Sequence, residues 1–239
     1  MHDLTSFTLR DITEASAMVR KMGRGARSME EVANRIVAYF HGNLADAGGK
    51  KSCALVRFFK THPYAQLPEE LRLFARKLLG RAPPSDDTRC LTLMATAGIH
   101  PDWNCRRKSC AHQSIPLSSH EMVSTAPMIS SLVRQFGLQL HLLVEPSPAV
   151  VANLAQRTFQ VFHVPEAQGS PSVPEQDNFV ASFGIRSVIG FGGMLPTGNL
   201  FAVILFSTTP TSRDTAEMFG SLALSAKVAI LPFEQSVFE

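Results

Sequence analysis

Apolar residues along the chain recur first at helical spacing, then in β-branched and aromatic runs, then at helical spacing again. Leu9, Ile12, Ala15, Val19 and Met22 share one helical stripe, which "MGRGAR" (22–27) interrupts with two glycines. Ser28 and Glu31 have the spacing of a capping box. Met29, Val32, Ala33, Ile36, Val37 and Phe40 follow as the apolar face of a second helix, to about Asn43. The run "SCALVRFF" (52–59) reads as a mostly buried strand. Pro68 opens a helix with Leu71, Phe74, Ala75, Leu78 and Leu79 on its stripe and Gly80 as its stop. "RCLTLMATAG" (89–98) is the next strand.

Met122 to Phe136 is helical in pattern, with Pro127 in the first turn and Gly137 as its cap. "LQLHLLV" (138–144) alternates as a strand and leaves His141 opposite its leucines; "PSPAVVANLAQ" suits a short helix, and "FQVFHV" (159–164) another strand. A Pro/Gly-rich loop of about twelve residues follows, a length often tied to function. "IRSVIGFGGMLPTGNLFAVILFS" (185–207) is the strongest local signal, two β-branched and aromatic strands about a Thr197-Gly198-Asn199 turn. Thr211 or Ser212 then caps a last helix with Ala216, Phe219, Leu222, Ala226, Ala229 and Ile230 on its stripe. These elements define an α+β chain with a mainly antiparallel five- or six-stranded sheet, helices on one face and flanking helices at both ends. We divide it into an N-terminal helical extension, 1–27, and a domain, 28–239, that includes the C-terminal helix.

Composition adds little to this pattern. At 239 residues and 45 % hydrophobic, the chain can build its core without disulfides or metal. No run approaches the ~18–20 uncharged apolar residues of a membrane span, and the N-terminus has neither the basic nor the apolar segment of a secretion signal. Together with only four cysteines, this predicts a cytoplasmic protein without membrane insertion. The net charge of +3 is spread along the chain and predicts no nucleic-acid partner. Lys50-Lys51 and Arg106-Arg107-Lys108 read as solvated loops. No phosphate-cradling loop, nucleophile elbow, His-Glu-x-x-His or kinase core is present, so catalytic residues are not assigned.

Candidate chemistry concentrates in "HPDWNCRRKSCAH" (100–112), which holds two of the four cysteines and the only tryptophan. Cys105, Cys110 and His112 are zinc-ligand types, but the Cys-x-His that closes the set is not a usual pairing. The adjacent Arg and Lys would favour thiolate, so the cysteines are also candidates for redox chemistry. The third reading makes the segment the wall of a pocket.

The hairpin "FGIRSVIGFGGMLPTGNLFAVILFS" (183–207), the preceding "FHVPEAQGSPSVPEQDNFVASF" (162–183) and "LTLMATAGIHPDW…SIPL" (91–117) together resemble a GAF domain, a relative of PAS sensors. Phe201-Ala202 stands where typical members carry Gly. The likeness spans roughly 28–233 and extends to sensor regions at the N-termini of bacterial histidine kinases. It implies a GAF/PAS-like fold and a small-molecule-sensing domain in signal transduction, such as a two-component system. It also implies a homodimer through the terminal helices and a histidine kinase or other output domain as partner. The ligand is unknown and no cofactor is assigned. Candidate ligand-binding residues are Trp103, His112, His163, Glu166, Arg186 and Phe191. Two alternatives stay open: a cysteine-dependent reductase on the same fold using Cys105 and Cys110, and a ligand-free protein–protein interaction module.

Overall fold

The protein is described by a computed structural model covering residues 1–80, 83–124, 126–139 and 161–238. Most of the strand expected at 138–144, with His141, and the helix expected at 146–156 lie outside the described residues.

The chain begins with β1 (His2–Asp3), α1 (Leu9–Lys21) and α2 (Met29–Asn43), then β2 (Leu44–Ala45), which pairs parallel with β1. β3 (Cys53–Pro63), α3 (Glu69–Leu79), β4 (Arg89–Gly98) and β5 (Ser114–Pro116) follow. After α4 (His120–Ser124) and α5 (Pro127–Gln135) come β6 (Val161–Val164), β7 (Ser187–Met194), β8 (Leu200–Ser207), α6 (Arg213–Met218) and α7 (Gly220–Ile230). Among the described residues, the main sheet has six strands in the order β5-β4-β3-β8-β7-β6, every neighbouring pair antiparallel.

Alternation along the strands divides the core into two layers. Phe201, Val203 and Leu205 of β8 join Val56 and Phe58 of β3 in a layer with α1, α2 and α7. Leu200, Ala202, Ile204 and Phe206 face the other way, toward α4, α5 and the loop after β6. The apolar face of α1 therefore lies in the same layer as α7, through Ile12, Ala15 and Val19. Arg213–Phe233 is apolar and long enough, by length and composition, to cross a membrane. Its apolar residues Leu222, Ala223, Ala226, Ala229 and Ile230 are buried on the sheet, which is how a core helix meets the same test.

Several local expectations change. Ser28 accepts from the backbone of Glu31 at 3.0 Å, yet the Glu31 carboxylate accepts from the Arg27 N–H at 2.9 Å, so the box does not close. The reciprocal box forms instead at α1, between Thr8 and Asp11. The helix expected at 122–136 is two helices, because Pro127 has no N–H to continue α4 and Ala126 before it is extended, with ψ 90°. β3 runs on to Pro63, since it stays paired with β4, His62 opposite Cys90 and Pro63 opposite Arg89; Lys60 within it is buried on the helical side with Nζ 3.6 Å from Glu234. The 106–108 triplet is not uniformly solvated. Arg106 is 7 % exposed and pairs with Glu30 of α2 at 2.5 Å and Glu70 of α3 at 3.0 Å. Two carboxylates converge on it, and no sequence spacing announces them.

Candidate functional site

A cavity of ≈ 250 Å³ opens between the second sheet face and the α4–α5 segment. Its floor is Phe59 and Thr61 of β3, Leu91 of β4, and Leu200, Ala202 and Ile204 of β8. Ile115 and Leu117 form one wall; Ala126, Met128, Ile129 and Leu132 of α5 and its approach form the roof, and Pro174 closes one side. The cavity is near the small end of ligand pockets, and its lining is almost wholly apolar, as such pockets tend to be. Among the described residues, His112 is its only ionisable lining residue. Burial pushes His112 down to about 4, and the positive charge of Arg57 acts in the same direction, so the imidazole is neutral near pH 7.

The register explains where each wall residue stands. Phe59 is opposite Ala202 on one side and Leu93 on the other, and Arg57 is opposite Ile204 and Thr96. Pairs directly opposite point to the same face. The next row toward the end of β4, Leu55 with Gly98 and Phe206, carries an aromatic cluster. There Trp103 packs 4.5 Å from Phe183 and 5.5 Å from Phe179, centroid to centroid. Gly98 permits this: a Cβ there would lie 2.9 Å from the Trp103 ring and 3.0 Å from the Ala54 carbonyl oxygen. The Asn104 amide bridges the Gly98 N–H and carbonyl, both at 3.0 Å, and fastens the loop to the strand end.

The six candidate residues are not brought together. His112 lines the cavity, and Trp103 shares its sheet face but stands at the aromatic end. His163 is buried, with Nε2 3.1 Å from both the carbonyl and hydroxyl oxygens of Thr211. The hydroxyl of Thr211 continues to Ser187, so His163 ties β6 to the start of α6. Burial lowers its pKa, partly offset by the Thr211 carbonyl. Glu166 and Arg186 are exposed and share a shallow polar depression with Pro165, Gln168 and Pro210, apart from the cavity. Phe191 is fully buried on the helical face, between Phe40 at 5.4 Å and Phe219 at 6.1 Å. Cys105 and Cys110 are exposed free thiols, and neither lines the cavity. Among the described residues, no group of three or more His, Cys, Asp and Glu is placed to hold a metal ion.

Sequence reasoning missed Phe59, Thr61 and the α5 roof, and it passed over Arg57. A lone arginine inside "SCALVRFF" was the available signal, since a charge in an otherwise buried strand needs a reason.

No family model matches the sequence, and no curated protein matches it by sequence. Solved structures match it in fold. The free methionine-R-sulfoxide reductase of Neisseria meningitidis, solved with its substrate, aligns over 99 % of this chain and 100 % of its own at 12 % identity, TM-score 0.51. The GAF domain of an Acinetobacter phosphoenolpyruvate-protein phosphotransferase aligns over 92 % of each chain at 11 % identity, TM-score 0.46. The phycocyanobilin-bound GAF domain of a cyanobacterial phytochrome aligns over 94 % and 96 % at 11 % identity, TM-score 0.47. The six-stranded α+β arrangement is GAF-like. At these identities the likeness is one of fold.

Proposed function

We propose that this chain is a small-molecule-sensing domain of a signal-transduction protein, with its ligand in the apolar cavity. One observation carries the reading. The strand β8 lines the cavity with Leu200, Ala202 and Ile204, and its alternate residues Phe201, Val203 and Leu205 pack in the layer of the terminal helices. A ligand that shifts β8 therefore acts on α1 and α7 through one shared strand, and close packing transmits such shifts.

The output partner in this reading is a histidine kinase or another domain joined to the terminal helices, as in a two-component system. A homodimer through those helices is supported by Leu224, Val228 and Leu231, which are 45 %, 49 % and 39 % exposed and repeat at i, i+4 and i+7. Four free thiols suit a reducing, cytoplasmic setting. The reductase alternative is tested by the Cys105→Ser/Cys110→Ser double variant, which abolishes a reductase and leaves a sensor's ligand binding intact.

Native mass spectrometry of freshly purified protein tests the main reading. We expect a small-molecule mass excess in the parent chain and its loss in Ile129→Trp, where the larger ring fills the cavity from α5. A bare chain in both proteins, with circular dichroism unchanged, counts against the cavity as the ligand site.

A further inference from the structure

The cavity is apolar along its floor and roof, and the next row of the same sheet face, just beyond its lining, is polar. Arg57 and Thr96 lie opposite one another on β3 and β4, on the same face as Ile204, which itself lines the cavity. Arg57 is half-buried; among the described residues it makes no hydrogen bond or ion pair, and its Nε alone of the guanidinium nitrogens is shut off from solvent without a partner. The Thr96 hydroxyl is buried and, among the described residues, unpartnered. An ion-paired arginine is the rule inside a protein, and Arg106 of this chain shows it, held by two glutamates.

We propose that the cavity binds a small amphipathic carboxylic acid, its carboxylate held by Arg57 with Thr96 and His112 and its apolar body among Phe59, Leu91 and Ile129. This rests on the reading of the cavity as a ligand site and names the ligand class. A planar guanidinium matches a carboxylate with two parallel N–H donors, and the hydroxyl and a neutral imidazole offer further donors. Burial pulls Arg57 down to about 10, with no carboxylate of the described residues opposing it. A ligand carboxylate would supply that missing counter-charge. The volume of ≈ 250 Å³ suits a short acyl or single-ring acid and is too small for a nucleotide or a bilin.

Isothermal titration calorimetry on the full chain, with octanoate and octanamide as probes, tests this. The two have the same apolar body and differ in charge at the head. We expect octanoate to bind at least about tenfold more tightly than octanamide, and Arg57→Gln to remove that preference while leaving octanamide binding unchanged. Ile129→Trp should weaken both. Equal binding of acid and amide, both lost in Ile129→Trp, overturns the carboxylate assignment and leaves the cavity reading standing. No octanoate binding also overturns the assignment, and the native mass comparison then judges the cavity reading separately. A second measurement needs no ligand. Arg57→Met should raise the Tm of the unliganded chain, because it removes a half-buried charge that has no partner among the described residues. A fall of several degrees would mean Arg57 is satisfied within the fold and would overturn the proposal.

Discussion

Lowering the pH should destabilise this protein through His112, and the size of the effect follows from its surroundings. In the folded chain the imidazole is held near 4 by burial and by Arg57; in the unfolded chain it returns to about 6.5. Between those values the unfolded state binds more protons, so stability falls as pH drops through 6.5 toward 4 and is flat in this respect above 6.5. The full gap corresponds to about 3 kcal/mol, at 1.36 kcal/mol for each pKa unit, an upper bound for a half-buried ring. His62 and His163 are also depressed, so the total pH dependence is not specific to His112. Urea denaturation of the parent chain and His112→Asn from pH 4.5 to 8 isolates it. The difference in ΔG between the two should grow in favour of the variant by about 2 kcal/mol as pH falls across that range. Arg57→Met should shrink the difference, because part of the depression comes from Arg57. A pH-independent difference, or an NMR titration placing His112 at or above 6.5, would refute the reasoning.

Other outcomes follow from the same contacts. Gly98→Ala drives a Cβ into the Trp103 ring and the Ala54 carbonyl, so it should cost about 1–3 kcal/mol in urea denaturation and change Trp103 fluorescence; a loss under about 0.5 kcal/mol would contradict the tight seat. Leu224→Glu with Val228→Glu should turn a dimer into a monomer in size exclusion with light scattering, at unchanged helicity. A parent chain that is monomeric at high concentration would argue against assembly through α7.

What could be read from the sequence was mostly local. The stripes of α1, α2 and the last helix, and the hairpin at 185–207, are dictated by spacing and by β-branched content that no neighbour needs to supply. The chemistry depended on pairing. Phe59 and Ala202 are 143 positions apart, and only the register of β3 with β8 makes them one floor. Phe191 was an attractive candidate because it sits in the hairpin, but alternation along β7 sends it to the helices, while Gly190 faces the other layer under Phe162 and Ile204. His112 could be named because it follows a strand into a dense segment of unusual residues. Arg57 could not be weighted, since its lack of a partner among the described residues is a property of everything around it. The charges of Arg106 were misjudged for the same reason: their acids come from α2 and α3.

The central claim is that the cavity and the terminal helices are coupled through β8. Hydrogen–deuterium exchange of the full chain, with and without saturating octanoate, tests it most directly. The account predicts slowed exchange in β5 and α5 at the cavity wall and, in the same experiment, altered exchange in α1 and α7, with both effects absent in Ile129→Trp. Changes confined to the cavity wall, with α1 and α7 unmoved, would contradict it.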